Sequence, residues 1–307
     1  MKSNSKAMKT FSEVLVPFLS EKEIQLKKKS LNAYKNQTKV FCEWLKERDR
    51  LDIPICDIKA EEVSEFFLYL ARDKDLDRPT CQKYYISIKA VFQYAKKRKE
   101  ITELPFDLVV FPSKKRDCSA RAMTSKELSD ITSLIFKNDK QLYIAGMTQY
   151  YCGARPGREV RLLKARDYDL EAGVLKIASE NAKKGKTRFI TLSDDFIPSC
   201  REYGIDKANP DDYVFGCKKK IGGKPVSENM LRYRFNKYRD ELGLSKDVKF
   251  YSFKHTSASR LIKIMDINSV KDFLGHSNIT STQKYIHRIG GGINEVLKYS
   301  FPSPTME

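Results

Sequence analysis

The sequence predicts a mainly α-helical protein with one small β-sheet: a four-helix N-terminal domain, a linker and a C-terminal α+β domain. Three observations predict it. Apolar residues recur at the helical period along most of the chain. One pair of β-prone runs, GVLKIAS (173–179) and TRFITL (187–192), flanks a turn-like NAKKGK. A stretch over 104–120 interrupts the pattern with Pro105 and Pro112, ahead of a basic SKKR run. The 307 residues then divide into 1–103, a linker over 104–120, and 121–307, two domains of ordinary size at ~150 residues per domain.

In chain order, Phe11, Val14, Leu15, Phe18 and Leu19 mark the inner face of a first helix. Leu31, Tyr34, Phe41, Trp44 and Leu45 mark a second, Val63, Phe66, Phe67 and Leu70 a third, and Ile88, Val91, Phe92 and Ala95 a fourth. These stripes form the core of the first domain, with the lysines between them on polar faces. Thr124-Ser-Lys-Glu127 is a capping box that opens the second domain. A helix over 139–152 follows, then the turn GARPGRE and a helix through Val160 and Leu163. After the hairpin with its lysine-rich tip, the remainder reads as helices over 229–242, 256–265, 269–274 and 282–287.

The net charge of +18 points to a polyanionic partner, nucleic acid before an anionic membrane. Residues 1–112 carry +5 of it and residues 113–307 carry +13. Neither end holds a basic amphipathic helix, and there is no apolar run of the ~18 residues a membrane span needs. The start lacks the apolar stretch of a signal peptide, so a cytoplasmic protein is expected. Seven cysteines, odd in number and never in a CxxC pair, exclude a disulfide framework and a Cys-rich zinc site. Three histidines are too few for a His-rich metal centre. No phosphate-binding P-loop, GxGxxG, GxSxG or carboxylate cluster is present, so neither cofactor nor metal is expected. The basic residues most suited to a DNA backbone are Lys96, Lys97 and Arg98, then Lys114, Lys115 and Arg116 as a strap, and Lys184 and Lys186 at the hairpin tip.

What stands out chemically is a series in a set order: Arg155 at a helix start, Lys183 on the hairpin, Lys254 and His255, His276 in LGH, and Tyr285. Here the chain resembles the tyrosine recombinases of the phage-integrase type. FLGHSNITSTQKYIH (273–287) is similar to that family's LGH…TTxxYxH segment, with the family's nine-residue step from His276 to Tyr285. YSFKHTSASRL (251–261) resembles its HxLRHTxAT segment, and YYCGARPGREVRLLKARDYDL (150–170) its TGxRxxExxxLxWxDID segment. KKGKTRFITL (183–192) resembles its KTxKxRxVPL hairpin. The four occur in the family's order, and the YSFKHT form and RPG turn look most like integrases of Bacteroides-type bacteria.

The resemblance implies a SAM-like core-binding domain followed by a catalytic domain, the two closing around duplex DNA. It implies that Tyr285 attacks a scissile phosphodiester, leaving a 3′-phosphotyrosyl link and a free 5′-hydroxyl, with the bond energy conserved so that neither ATP nor metal is needed. Arg155 would bind two phosphate oxygens, Lys183 would protonate the leaving 5′-oxygen, and His276 would donate to a phosphate oxygen. It further implies a homo-tetramer on two specific DNA sites, a monomer or weak oligomer free in solution, and an exchange segment over 289–307 passed between protomers. Accessory DNA-bending or directionality factors belong to the same picture.

Three departures qualify the match. The family's HxxR is here Tyr251-Ser-Phe-Lys254, so Lys254 keeps a charge but gives up the bidentate grip, and Tyr251 donates a hydrogen bond but is a poor base. The step from Arg155 to Glu159 is four residues where the family has three, which places an insertion at Gly157 and makes Arg158 a minor rival of Arg155. The expected function is the integrase, excisionase or invertase of a bacterial mobile element. The alternatives are strand passage of the type IB topoisomerase kind and a catalytically decayed integrase that only binds DNA.

Overall fold

The first helix, α1 (Phe11–Gln25), begins where Thr10 can cap it: the Thr10 hydroxyl accepts the Glu13 amide while the Glu13 carboxylate accepts the Thr10 amide. The computed structural model describes residues 8–113, 119–183, 185–275 and 278–283, and the chain forms two units, Met1–Asp117 and Cys118–Glu307. In the first, α1 is joined by α2 (Lys28–Lys46), α3 (Ala60–Arg72) and α4 (Arg78–Lys97), the last capped by Asp77. Helix α4 packs on the other three. The aromatic stripes meet at its centre, with Phe11 edge-on to Phe41 at 4.9 Å and Phe41 edge-on to Phe66 at 4.8 Å, each pair adding ~1 kcal/mol to plain burial. Part of the expected linker belongs to this core. Phe106 is 5% exposed, and Leu104, Val109 and Phe111 pack beside it. The prolines lie beyond the end of α4 at Lys97, in a stretch without helix whose apolar residues still find cover.

The second unit opens with α5 (Ser125–Asn138) behind the expected capping box at Thr124 and Glu127. Asp139 both ends α5 and caps α6 (Lys140–Cys152). Its buried carboxylate is held by Arg234 of α8 (Met230–Glu241). Helix α6 packs against α5, α8 and α9 (Ser252–Leu261). Its approach to α9 depends on Gly146, where a Cβ would stand 2.8 Å from the Phe253 ring. The sheet is antiparallel in the order β1 (Tyr168–Asp169), β2 (Val174–Ile177), β3 (Arg188–Thr191), with Leu175 opposite Ile190. The expected hairpin is thus β2 and β3, extended by a two-residue strand.

Two elements differ from expectation. The helix through Val160 and Leu163 is a short π-helical turn, Pro156–Val160. Helix α9 starts four residues before the expected Thr256, because Ser252 accepts the Lys249 amide and starts the helix there. A six-residue helix, α7 (Ile197–Glu202), has no counterpart in the sequence reading. It is followed in the chain by α8, α9 and α10 (Ile267–Phe273), the last capped by Asp266. Residues 280–283 are helical, and the rest of the expected helix over 282–287 lies outside the described residues.

Candidate catalytic site

Helix α6 ends at Gly153, whose φ of +56° reverses the chain. A side chain is excluded there twice over, since the conformation is left-handed and a Cβ would stand 2.8 Å from the Phe273 ring. The reversal sets Arg155 at the head of the π turn. The Val160 amide donates to the Arg155 carbonyl at 3.0 Å, a five-residue step where an α-helix makes four. Gly157 takes up the added residue with a ψ of −118°. Glu159 is thereby returned beneath Arg155: its Oε2 accepts the Arg155 amide at 3.0 Å and its Oε1 accepts Nη1 at 2.6 Å.

Two further cations complete the cluster. Arg188, from β3, donates through Nη2 to Glu159 Oε2 at 2.9 Å and through Nη1 to the Phe273 carbonyl at 3.0 Å. Lys254, from α9, is wholly buried, and its ammonium donates to the carbonyls of Gly153 at 2.5 Å and Leu274 at 2.9 Å. Arg155 itself reaches the Gly275 carbonyl at 3.3 Å. Among the described residues, Arg155 and Arg188 share the one carboxylate of Glu159, so a positive excess remains, with Lys254 tied to the carbonyls beside them. Burial alone would raise the Glu159 carboxyl, but Arg155, the Arg155 amide and Arg188 outweigh it and hold it below its usual range. Burial, reinforced by Arg155, brings the Lys254 ammonium well below its ordinary value. The Tyr251 phenol is pushed up by burial, against the pull of Arg155. Its ring stands edge-on to His255 at 4.7 Å.

Of the residues expected in the site, the structure gathers Arg155, Tyr251 and Lys254. Lys254 differs in its direction, since its charge is turned inward onto carbonyls and has no exposed surface. Arg158 is exposed, and Arg155 is the one that holds Glu159. Lys183 and Lys186 are exposed in the segment joining β2 to β3. Lys96, Lys97 and Arg98 are exposed at the end of α4, where Arg98 bonds Glu21 at 2.6 Å and stacks over Tyr94 at 4.4 Å. Tyr285, His276, Lys114, Lys115, Arg116, Lys184 and the segment 289–307 lie outside the described residues.

In the sequence Glu159 marks only a spacing and Arg188 is one residue of the hairpin string, yet both are structural members of the cluster. A signal for Arg188 was present. It shares a strand face with Ile190 and Leu192, which are 6% and 3% exposed, and an arginine on a buried face requires a carboxylate partner. Among the described residues, no three His, Cys, Asp or Glu side chains are grouped to hold a metal ion, and no helix is long and apolar enough to cross a membrane.

The phage integrase family pattern matches residues 121–289, and that of the phage integrase SAM-like domain matches residues 10–115. The chain belongs to the phage integrase family. Among relatives of this integrase family member, a tyrosine recombinase of Pseudothermotoga lettingae is 26% identical over 262 residues, covering 83% of this chain and 86% of that protein. The tyrosine recombinase XerC of Leptospira interrogans is 24% identical over 281 residues, covering 89% and 87%. Its fold is that of the lambda integrase dimer bound to a COC′ core site, with a TM-score of 0.72 at 17% identity over 97% of this chain and 99% of that one. The Tn1549 transposon integrase in complex with circular intermediate DNA is similar, at 0.70 and 20% identity over 90% and 94%.

Proposed function

We propose that this family member is a site-specific tyrosine recombinase that cuts and rejoins duplex DNA through a 3′-phosphotyrosyl intermediate on Tyr285. The observation that carries the reading is the positive excess that Arg155 and Arg188 leave around the carboxylate of Glu159. A phosphodiester under attack gathers negative charge on its non-bridging oxygens, and a cationic frame fixed in advance stabilises that charge without reorganising. Arg155 is 20% exposed and keeps N–H donors beyond those given to Glu159 and Gly275. The Tyr285 oxygen forms a bond to phosphorus as its phenolic proton passes to water, and the bond from phosphorus to the 5′-oxygen breaks. Lys183 gives its proton to that departing oxygen, and His276 and Tyr251 donate to phosphate oxygens. A 5′-hydroxyl of a partner strand then attacks phosphorus, giving its proton back to Lys183, and the phosphotyrosyl bond breaks to release Tyr285, whose oxygen takes up a proton from water.

The substrate is duplex DNA carrying specific recombination sites, and the working form is a homo-tetramer on two of them, assembled from monomers or weak oligomers in the cytoplasm. A solved lambda integrase tetramer bound to a Holliday junction, with a TM-score of 0.74 to this chain, supports that assembly. The Tn1549 likeness supports a role in moving a bacterial mobile element by integration, excision or inversion, with DNA-bending or directionality factors as accessories. The test is adduct trapping: the protein and its Tyr285→Phe variant are incubated in EDTA with fragmented DNA from around the gene, denatured in SDS, and the linked ends sequenced. Ends recovered only with Tyr285 are the expected result. Binding without any adduct would overturn it in favour of a protein that only binds DNA.

A further inference from the structure

The last three carbonyls at the end of α10 each receive a different cation. Arg188 Nη1 donates to Phe273 at 3.0 Å, Lys254 Nζ to Leu274 at 2.9 Å, and Arg155 Nη2 to Gly275 at 3.3 Å. The donors come from three separate elements: β3, α9 and the π turn. Helix-end carbonyls have no partner within their own helix and usually take water or a later amide. Here the Gly275 amide closes the turn on the Asp272 carbonyl at 3.0 Å, and the carbonyls face the charged cluster. The fit is close on both sides. A Cβ at Gly275, where φ is +63°, would stand 2.5 Å from Arg188 Nη1, and one at Gly153 would meet the ring of Phe273.

We propose that Arg188 and Lys254 are positioning residues that fasten the end of α10 to the Arg155–Glu159 frame, so that the chain leaves Gly275 in a fixed direction, and that neither touches the scissile phosphate. The proposal rests on the recombinase reading given above. Lys254 has no exposed surface, and its ammonium is spent on two carbonyls from opposite sides, Gly153 and Leu274. A compact ammonium can sit between two converging carbonyls, where the flat fork of a guanidinium would force them apart. This gives a physical reason for lysine at 254 and makes it a tie rather than a weakened phosphate ligand. Arg188 is 16% exposed, and its guanidinium likewise donates to Phe273 and Glu159, both inside the fold. In the sequence, Gly275 is followed directly by His276, so the tie governs where the next residue starts.

The test compares the full chain with its Arg188→Met, Arg188→Lys and Lys254→Met variants. Three quantities are read: hydrogen exchange of peptides covering 270–275, affinity for the duplex recovered by adduct trapping, and the rate of covalent adduct formation. Arg188→Met is expected to speed exchange at the end of α10 by about 10-fold while leaving α5 unchanged. Affinity is expected to stay within about twofold, with the adduct rate falling about 100-fold. Arg188→Lys should recover part of both losses. Unchanged exchange, or affinity falling in step with the adduct rate, would overturn the proposal, the second being the mark of a direct phosphate contact. If Lys254→Met does not fold, the Arg188 pair decides alone. If the unaltered chain forms no adduct, the recombinase reading fails, and the exchange result still decides whether Arg188 holds the turn.

Discussion

Glu159 shows what a single charge does in this molecule. It is 2% exposed and answers two guanidinium groups at once. Replacing it by glutamine keeps the shape but leaves those cations without a counter-charge, so Glu159→Gln is expected to lower stability at pH 7 by about 3 kcal/mol in urea melts. Because its folded carboxyl lies below the ordinary value, its contribution is present above that value and is lost as pH falls through the folded one. The loss from Glu159→Gln should therefore shrink in acid. Lys183 carries a prediction of another kind. As the proposed acid, Lys183→Ala should slow adduct formation by about 100-fold or more, and a bridging 5′-sulfur in the DNA should restore the rate, since a thiolate leaves without a proton. A loss that sulfur does not repair would assign Lys183 to binding instead. Arg155, Tyr251 and Lys254 were legible because their motifs follow one another in order. The inward turn of Lys254 was not, because the Gly153 carbonyl it holds comes from 101 residues earlier in the chain.

At the scale of elements, the capping box that opens α5 was legible because it is written within four residues, whereas the one at Thr10 and Glu13 was not read from the sequence. The box at Thr124 and Glu127 has an addition that sequence does not display. Arg121 grips both oxygens of Glu127 at 2.8 and 2.6 Å and also reaches Asp247. Arg121, helped by the Thr124 amide and opposed by desolvation, holds the Glu127 carboxyl down at about 2. A depressed carboxyl stabilises the fold above its ordinary value of 4.5 and loses that contribution as pH falls through about 2. Glu127→Gln is expected to cost about 1–2 kcal/mol at pH 7, with the difference from the unaltered chain closing by about pH 2, as read from urea midpoints. The π turn was only half legible. The extra residue between Arg155 and Glu159 could be counted, but its absorption at Gly157 depends on a backbone conformation no motif spells out. Strand β1 escaped because two residues carry no period, and α9 was misplaced because SFKH offers only one apolar residue to start a stripe.

Among the described residues of the whole molecule, one hydrophobic core lies within the first unit, and a large core with a small cluster of Ala258, Val270 and Leu274 lies within the second. A fragment covering 8–113 is therefore expected to melt cooperatively on its own in circular dichroism, and a gradual, featureless melt would argue that its core needs the second unit. The +18 charge predicts binding to random duplex that weakens steeply with salt, the log–log slope being roughly −0.9 for each phosphate neutralised. Truncation after Arg288 is expected to spare DNA binding and abolish synapsis, and a truncated protein that still recombined two marked duplexes would contradict the exchange role of 289–307. The separateness of the two cores also bears on inheritance. A substitution in the aromatic cluster of Phe11, Phe41 and Phe66 falls in the core of the first unit, so on the proposed reading the lineage could retune DNA recognition by that unit while the charged cluster of the second is passed on intact. On the proposed recombinase reading, target choice and strand chemistry can then be selected on separate schedules.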